Sequence, residues 1–194
     1  MKAWIVSLGK FLLRIGIGIL GATLYGILND QITVTLSPEY FSVFKRAQFA
    51  DVLEIPAWGM PLRLQAVIVG TLATWWFGLL LGGVLGIISM VGRQRALLTR
   101  DYVRAVAGIM AFTLVLSMAF GLFGYLIEPV IKPTSEVWPF LTGIHVVRPA
   151  FAVGAWHDGA YLGGGLGTLL ACFWVRRRRR SLASQSAETA APSP

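Results

Sequence analysis

Between Arg63 and Arg93 the chain carries no charged residue, and between Arg104 and Glu128 it again carries none. A helix rises 1.5 Å per residue and needs about 20 apolar residues to cross ~30 Å of hydrocarbon. Each stretch meets that length. Lipid offers backbone amides no partners, so such segments become helices unless they close into a barrel. Two further apolar stretches flank them, at about 11–28 and about 158–175. Only 13% of the chain is charged, against roughly 25% in a soluble domain, and mean hydropathy is +0.69. The expectation is an all-α membrane protein: a four-transmembrane-helix bundle over residues 1–180, with spans at about 11–28, 61–91, 105–127 and 158–175. Residues 181–194, rich in Ser, Ala and Pro, cannot bury a core and are expected to form a disordered tail.

The first span contains Arg14 near its start, where a long stem can carry the guanidinium back to the headgroups. A cleaved signal peptide is the competing reading of this segment. No small-x-small cleavage site follows, so it is read as a retained span.

Basic residues set the orientation. Of 17 lysines and arginines, 12 fall in the N-terminal segment, the second loop and the arginine run Arg176–Arg180. The first and third loops hold Lys45, Arg46, Arg63, Lys132 and Arg148. The positive-inside rule then puts both termini in the cytoplasm of a bacterial cell, with the chain in the cytoplasmic (inner) membrane. Asp30, Glu39, Asp51, Glu54, Glu128, Glu136 and Asp158 fall on the opposite side. The net charge of +8 is therefore a property of one membrane face. Arg176–Arg180 read as a stop-transfer anchor attracted to anionic lipids. Nucleic acid is excluded as a partner, because no aromatics are interleaved with the arginines. A membrane-protein partner stays open.

Helices in lipid associate through close packing of small residues. Gly70, Thr74, Gly78, Gly82 and Gly86 form such a row on the second span. Gly159, Gly163, Gly167 and Ala171 form one on the fourth, and Gly18, Ala22 and Gly26 one on the first. Packing inside the bundle is the expected use, and dimerisation the alternative. Trp75 and Trp76 lie mid-span rather than at an interface, either filling a helix contact or lining a site for a flat apolar ligand such as a quinone tail.

The two outward loops are too long for simple turns. Ile32–Leu36 alternates with period 2 and is predicted to be a short strand, pairing with Ile144–Val147 as a small β cap. Ser37 as N-cap, Pro38 at the first helical position and Glu39 in the first turn predict a helix start. That helix is expected to lie flat on the membrane, with Tyr40, Phe41 and Phe44 inward and Lys45 and Arg46 toward water.

The candidate site is the polar group at the outer ends of the first and fourth spans: Asp30, Gln31, Glu39, Tyr40, His157, Asp158 and Tyr161. Polar groups at the edge of lipid require partners. The cluster is thus a hydrogen-bonded clasp for the loops, a site for a lipid headgroup or small ligand, or a catalytic pair with Glu39 and His157 as acid and base. Two histidines and the single Cys172 make a thin metal inventory, and no H-E-x-x-H spacing occurs, so no metal and no cofactor are expected. His145 on a loop argues against bis-histidine haem. The second and third spans offer only Thr71, Thr74, Ser89, Thr113 and Ser117 as polar groups, which argues against ion conduction by one protomer.

Asp30-Gln31-Ile32-Thr33 leading to Glu39-Tyr40-Phe41, then Ala73-Thr74-Trp75-Trp76-Phe77-Gly78 with Leu81-Gly82, and His157 with Tyr161 before a glycine-rich span, resembles a group of small, uncharacterised bacterial integral membrane proteins. The likeness covers most of the chain. In that group histidine often precedes the Asp-Gln pair, where this chain has Asn29, and the segment Ser42–Phe49 also differs. The resemblance implies a multi-pass membrane protein and brings no activity with it. The expected function is a non-enzymatic membrane protein whose polar cluster organises the loops and binds a lipid headgroup, small ligand or partner. A membrane-embedded enzyme and an accessory subunit of a membrane complex are the alternatives.

Overall fold

The structure, a computed structural model, describes residues 2–53, 59–92 and 96–190. It contains helices α1 (Lys2–Leu36), α2 (Arg46–Leu53), α3 (Leu62–Met90), α4 (Thr99–Ile131) and α5 (Val147–Ala190). A π-helical turn (Tyr40–Lys45) precedes α2, and a 3-10 turn (Pro139–Leu141) precedes α5. Three segments are long and apolar enough to cross a membrane: Val6–Leu36 of α1, α3 and α4. α5 is longer, but its glycine run and polar flanks dilute its hydropathy, and it is not among the three.

The helices associate as two tight antiparallel pairs, α1 with α3 and α4 with α5. The small-residue rows make this approach possible. A Cβ on Gly78 would meet Gly18 O at 2.6 Å, one on Gly82 would meet Ile15 Cα at 2.7 Å, and Gly26 faces Gly70 and Thr74. In the second pair, a Cβ on Gly163 would meet Thr113 Cα at 2.8 Å and one on Gly159 would meet Leu116 O at 2.8 Å. Each glycine of these pairs lets backbone touch backbone, which a side chain would forbid. The rows are used inside the bundle.

Two apolar clusters lie at opposite ends. One joins Val34, Tyr40, Phe41, Val69 and Leu141 to Phe151 and Val153; the other joins Leu81, Leu85, Tyr102, Ile109 and Val175. Large apolar side chains such as Leu20, Leu80, Val115, Leu122, Leu169 and Phe173 stay exposed around the outside. Such a belt suits lipid as solvent.

The arginine end is knitted by cations turned inward. Arg14 does not snorkel outward as expected. It is 4% exposed, donates to Leu97 O at 2.6 Å and lies over the Tyr102 ring. Arg179, equally buried, donates to Ile88 O and Val91 O at 2.6 and 2.8 Å, satisfying carbonyls that the end of α3 leaves open. Arg178 reaches buried Asp101 at 3.1 Å. Only Arg176, Arg177 and Arg180 of the run are exposed. Residues 181–190, expected to be disordered, continue α5 as helix. Arg93, Arg95, Glu54 and residues 191–194 lie outside the described residues.

Two loop expectations are corrected. Among the described residues there is no strand. Ile32–Leu36 forms the last turns of α1, where Thr33 and Thr35 return their hydroxyls to Asn29 O and Gln31 O at 3.1 and 2.8 Å. Continuing the helix satisfies every backbone group within one segment, whereas a two-stranded ribbon leaves two open edges. Ile144–Val147 is a turn that runs into α5. The Ser37 cap is present, with Tyr40 N–H donating to Ser37 Oγ at 3.3 Å. The segment after it does not place Lys45 in water, however. It folds over the bundle end, where Tyr40, Phe41 and Lys45 are all buried, because aromatic surface from Phe140 and Phe151 is there to receive it.

Candidate ligand-binding cavity

On α1, Tyr25, Asn29 and Asp30 are four and five residues apart and share a face; on α5, Val153, Trp156, His157 and Tyr161 do the same. Where these faces meet, consecutive residues pair with consecutive residues. Trp156 Nε1 donates to Asn29 Oδ1 at 2.7 Å, and His157 Nε2 lies 3.5 Å from Asp30 Oδ1. Asn29 Nδ2 donates to Asp30 Oδ1 at 3.3 Å, and the Tyr25 hydroxyl extends the network to Ser117 of α4 at 3.0 Å. His157 Nδ1 lies 2.8 Å from Val153 O; a carbonyl only accepts, so Nδ1 carries the proton. That leaves Nε2 turned toward the carboxylate.

The π-helical turn closes this group from above. The Tyr40 ring tilts over His157 with centroids 5.4 Å apart. Lys45 Nζ sits 5.7 to 5.9 Å from the rings of Tyr40, Phe44 and Phe49 and donates to Gln48 Oε1 at 3.1 Å. Burial pulls the Lys45 ammonium below its usual range, and the Asp30 carboxylate partly restores it. Burial likewise pushes the Tyr40 phenol up.

Beneath them is a cavity of about 260 Å³ among α1, α3 and α5, with Met110 and Thr113 of α4 at its back. Asp30, Lys45 and His157 line its polar end. The rest is lined mainly by small residues such as Ala22, Gly26, Ala73, Gly164 and Gly165 together with Phe77 and Met110, and Tyr25, Asn29, Thr74 and Thr113 add polar groups to the wall. Trp76 and Tyr161, 47% and 66% exposed, stand at its rim on α3 and α5, so it opens on the side of the bundle. Asp30 Oδ2 and His157 Nε2 are buried and have no hydrogen-bond partner. A larger groove of about 930 Å³ between α1 and α4 is walled by Leu20, Leu24, Leu28 and other apolar side chains.

Of the residues singled out by the sequence, Asp30, Tyr40 and His157 meet here and Tyr161 stands at the rim. Gln31 points elsewhere: its amide donates to Arg63 O at 2.8 Å, and Arg63 NH1 donates back to its Oε1 at 3.2 Å, clipping α1 to α3. Asp158 is exposed and does not line the cavity. Glu39 is also absent from it. Both its oxygens accept backbone amides ahead of α5, His145 N–H at 2.9 Å and Val146 N–H at 2.7 Å. These bonds draw the Glu39 carboxyl below its ordinary range. Trp75 and Trp76 are both nearly half exposed, and of the two Trp76 lines the cavity. Among the described residues no group of three His, Cys, Asp or Glu gathers as a metal site would require.

Sequence reasoning missed Tyr25, Asn29, Trp156 and Lys45. The i, i+4 spacing of Tyr25 with Asn29, and Trp156 beside His157, were the available signals. Lys45 had none, because its burial depends on a loop folding back. Compared with family models, with curated proteins and with solved structures, the chain matches none.

Proposed function

We propose that this chain is a four-span protein of a bacterial cytoplasmic membrane, with α5 as the fourth span and both termini cytoplasmic, and that it binds an amphiphile in the cavity among α1, α3 and α5. The polar head sits against Asp30, Lys45 and His157, and the chain runs past Phe77 and Gly165 to the lateral mouth at Trp76. The observation that carries the reading is the pair of buried polar atoms without hydrogen bonds, Asp30 Oδ2 and His157 Nε2, at one end of a mostly apolar slot. Unmet buried polar atoms of this kind cost about 1 to 3 kcal/mol each, and a polar head supplies what they lack. α5 as a span is supported by its antiparallel packing along α4 and by its exposed Leu166, Leu169, Leu170 and Phe173. Orientation rests on the distribution of lysine and arginine. Arg176, Arg177 and Arg180 are free to meet anionic lipid at the cytoplasmic face. An acid and base pairing of Glu39 with His157 draws no support from the geometry, since both Glu39 oxygens are engaged by backbone amides.

Gly165→Leu tests the reading. Gly165 lines the cavity, is exposed, and a Cβ there meets nothing within 4 Å, so leucine is expected to obstruct the cavity mouth without disturbing a helix contact. Protein purified in mild detergent and washed free of bulk lipid is expected to retain an amphiphile detectable by mass spectrometry. The variant is expected to keep its helicity and lose most of that molecule. Equal retention by both proteins overturns the reading.

A further inference from the structure

The three charged or ionisable groups at the head of the cavity restrict what can sit there. Asp30 is 4% exposed, and its Oδ2, without a hydrogen bond, calls for an N–H or O–H donor. Lys45, 3% exposed, gives one hydrogen bond to Gln48, and an ammonium has three protons to place. A purely cationic head would meet Asp30 but bring its charge beside Lys45. A purely anionic head would meet Lys45 but bring its charge beside Asp30. In a site this dry either mismatch is costly. A head carrying both signs, with a donor on the positive group and acceptors on the negative one, satisfies both.

From this we infer that the cavity selects the phosphoethanolamine head of an aminophospholipid, its ammonium hydrogen-bonded to Asp30 Oδ2 and its phosphate paired with Lys45; this rests on the amphiphile reading above. The phosphate and ammonium of that head are two carbons apart, a spacing that lets one molecule reach groups lining one small cavity. Phosphocholine carries the same charges but no N–H, so it leaves Asp30 Oδ2 unmet. Phosphoglycerol has hydroxyl donors but a net negative charge. The lateral mouth at Trp76 and Tyr161 admits the molecule from the bilayer, and the slot of small residues takes an acyl chain.

The test is competition. Full-length protein in detergent is exchanged into an equimolar mixture of dioleoyl phosphatidylethanolamine, phosphatidylcholine and phosphatidylglycerol, and retained lipid is counted by mass spectrometry. Phosphatidylethanolamine is expected to exceed phosphatidylcholine about tenfold, the discrimination that a site with an unmet buried polar group can provide. Asp30→Asn is expected to bring that ratio close to one, and Lys45→Gln to lower retention of phosphatidylethanolamine and phosphatidylglycerol together. If Asp30→Asn does not accumulate, the wild-type ratio decides alone. Soluble glycerophosphoethanolamine at the lipid's concentration is expected to displace little lipid; displacement at equal concentration overturns the lipid assignment. Equal retention of the three lipids overturns the selectivity and leaves the amphiphile reading standing. Preference for phosphatidylglycerol, or recovery of a quinone in place of phospholipid, also overturns the selectivity. Retention of no amphiphile overturns both.

Discussion

Trp156 Nε1 donates to Asn29 Oδ1 at 2.7 Å, one residue along each helix from the 3.5 Å contact between Asp30 and His157. The neutral bond therefore holds the ionisable pair in register. Both Asn29 and Trp156 are buried, and Asn29 Oδ1 also receives the Tyr25 hydroxyl at 3.3 Å.

Asn29→Ala strands the Trp156 N–H, and a buried unmet donor costs about 1 to 3 kcal/mol. Thermal unfolding in detergent is expected to show that loss, and Trp156→Phe a smaller or similar one. The double variant is expected to cost less than the sum of the two, because the shared bond is lost only once. Additive losses would show that the two residues do not act together.

Glu39 gives a pH signature. Its carboxyl sits below the ordinary range because it accepts the His145 and Val146 amides, so the folded chain holds the proton less tightly than the unfolded one. Its contribution is complete above the unfolded value near 4.3 and disappears as pH falls through the lowered folded value. Glu39→Gln is expected to be less stable than wild type at pH 7, with the gap closing toward pH 3. Amide exchange at the start of α5 reports the same change locally. A gap independent of pH would remove the charge from the explanation.

The glycine contacts separate by position. A Cβ on Gly78 would lie 2.6 Å from both Gly18 O and Ile19 Cα, and neither backbone can step aside alone. Gly78→Val is expected to cost at least the ~1 to 3 kcal/mol typical of overpacking, seen as lower accumulation and a lower unfolding temperature. Gly83 meets nothing within 4 Å, and Gly83→Ala is expected to change stability by less than about 0.5 kcal/mol. Equal effects at both sites would mean that α1 and α3 do not touch as described.

Topology is checked by reporters active only outside the cytoplasm. Fusion at Asp51 is expected to be active, and fusions at Gln94 and Ser184 silent. Activity at Ser184 together with Asp51 would take α5 out of the membrane and with it one wall of the cavity.

Much of the architecture was legible because lipid imposes a simple demand. The uncharged runs 64–92 and 105–127 correspond to α3 and to the middle of α4, and the glycine rows to the contact faces of α1, α3 and α5. Local patterns misled where tertiary contacts outweighed them. The alternation Ile32–Leu36 reads as strand in isolation, yet the helix preceding it simply continues. Lys45 reads as solvated, yet its turn is drawn onto an aromatic surface made by Tyr40, Phe44 and residues nearly a hundred positions away.

What the residues determined by themselves is the solvent and the close-packing faces, because hydropathy and side-chain size act locally and need no partner to be read. Which polar groups meet was decided only in three dimensions. Asp30 and Glu39 are both acidic residues in the same short stretch, but helix register turns one toward His157 and a buried slot, while the loop carries the other to the amides ahead of α5. Register and loop path follow from the packing of whole helices, and no spacing within a single segment encodes them.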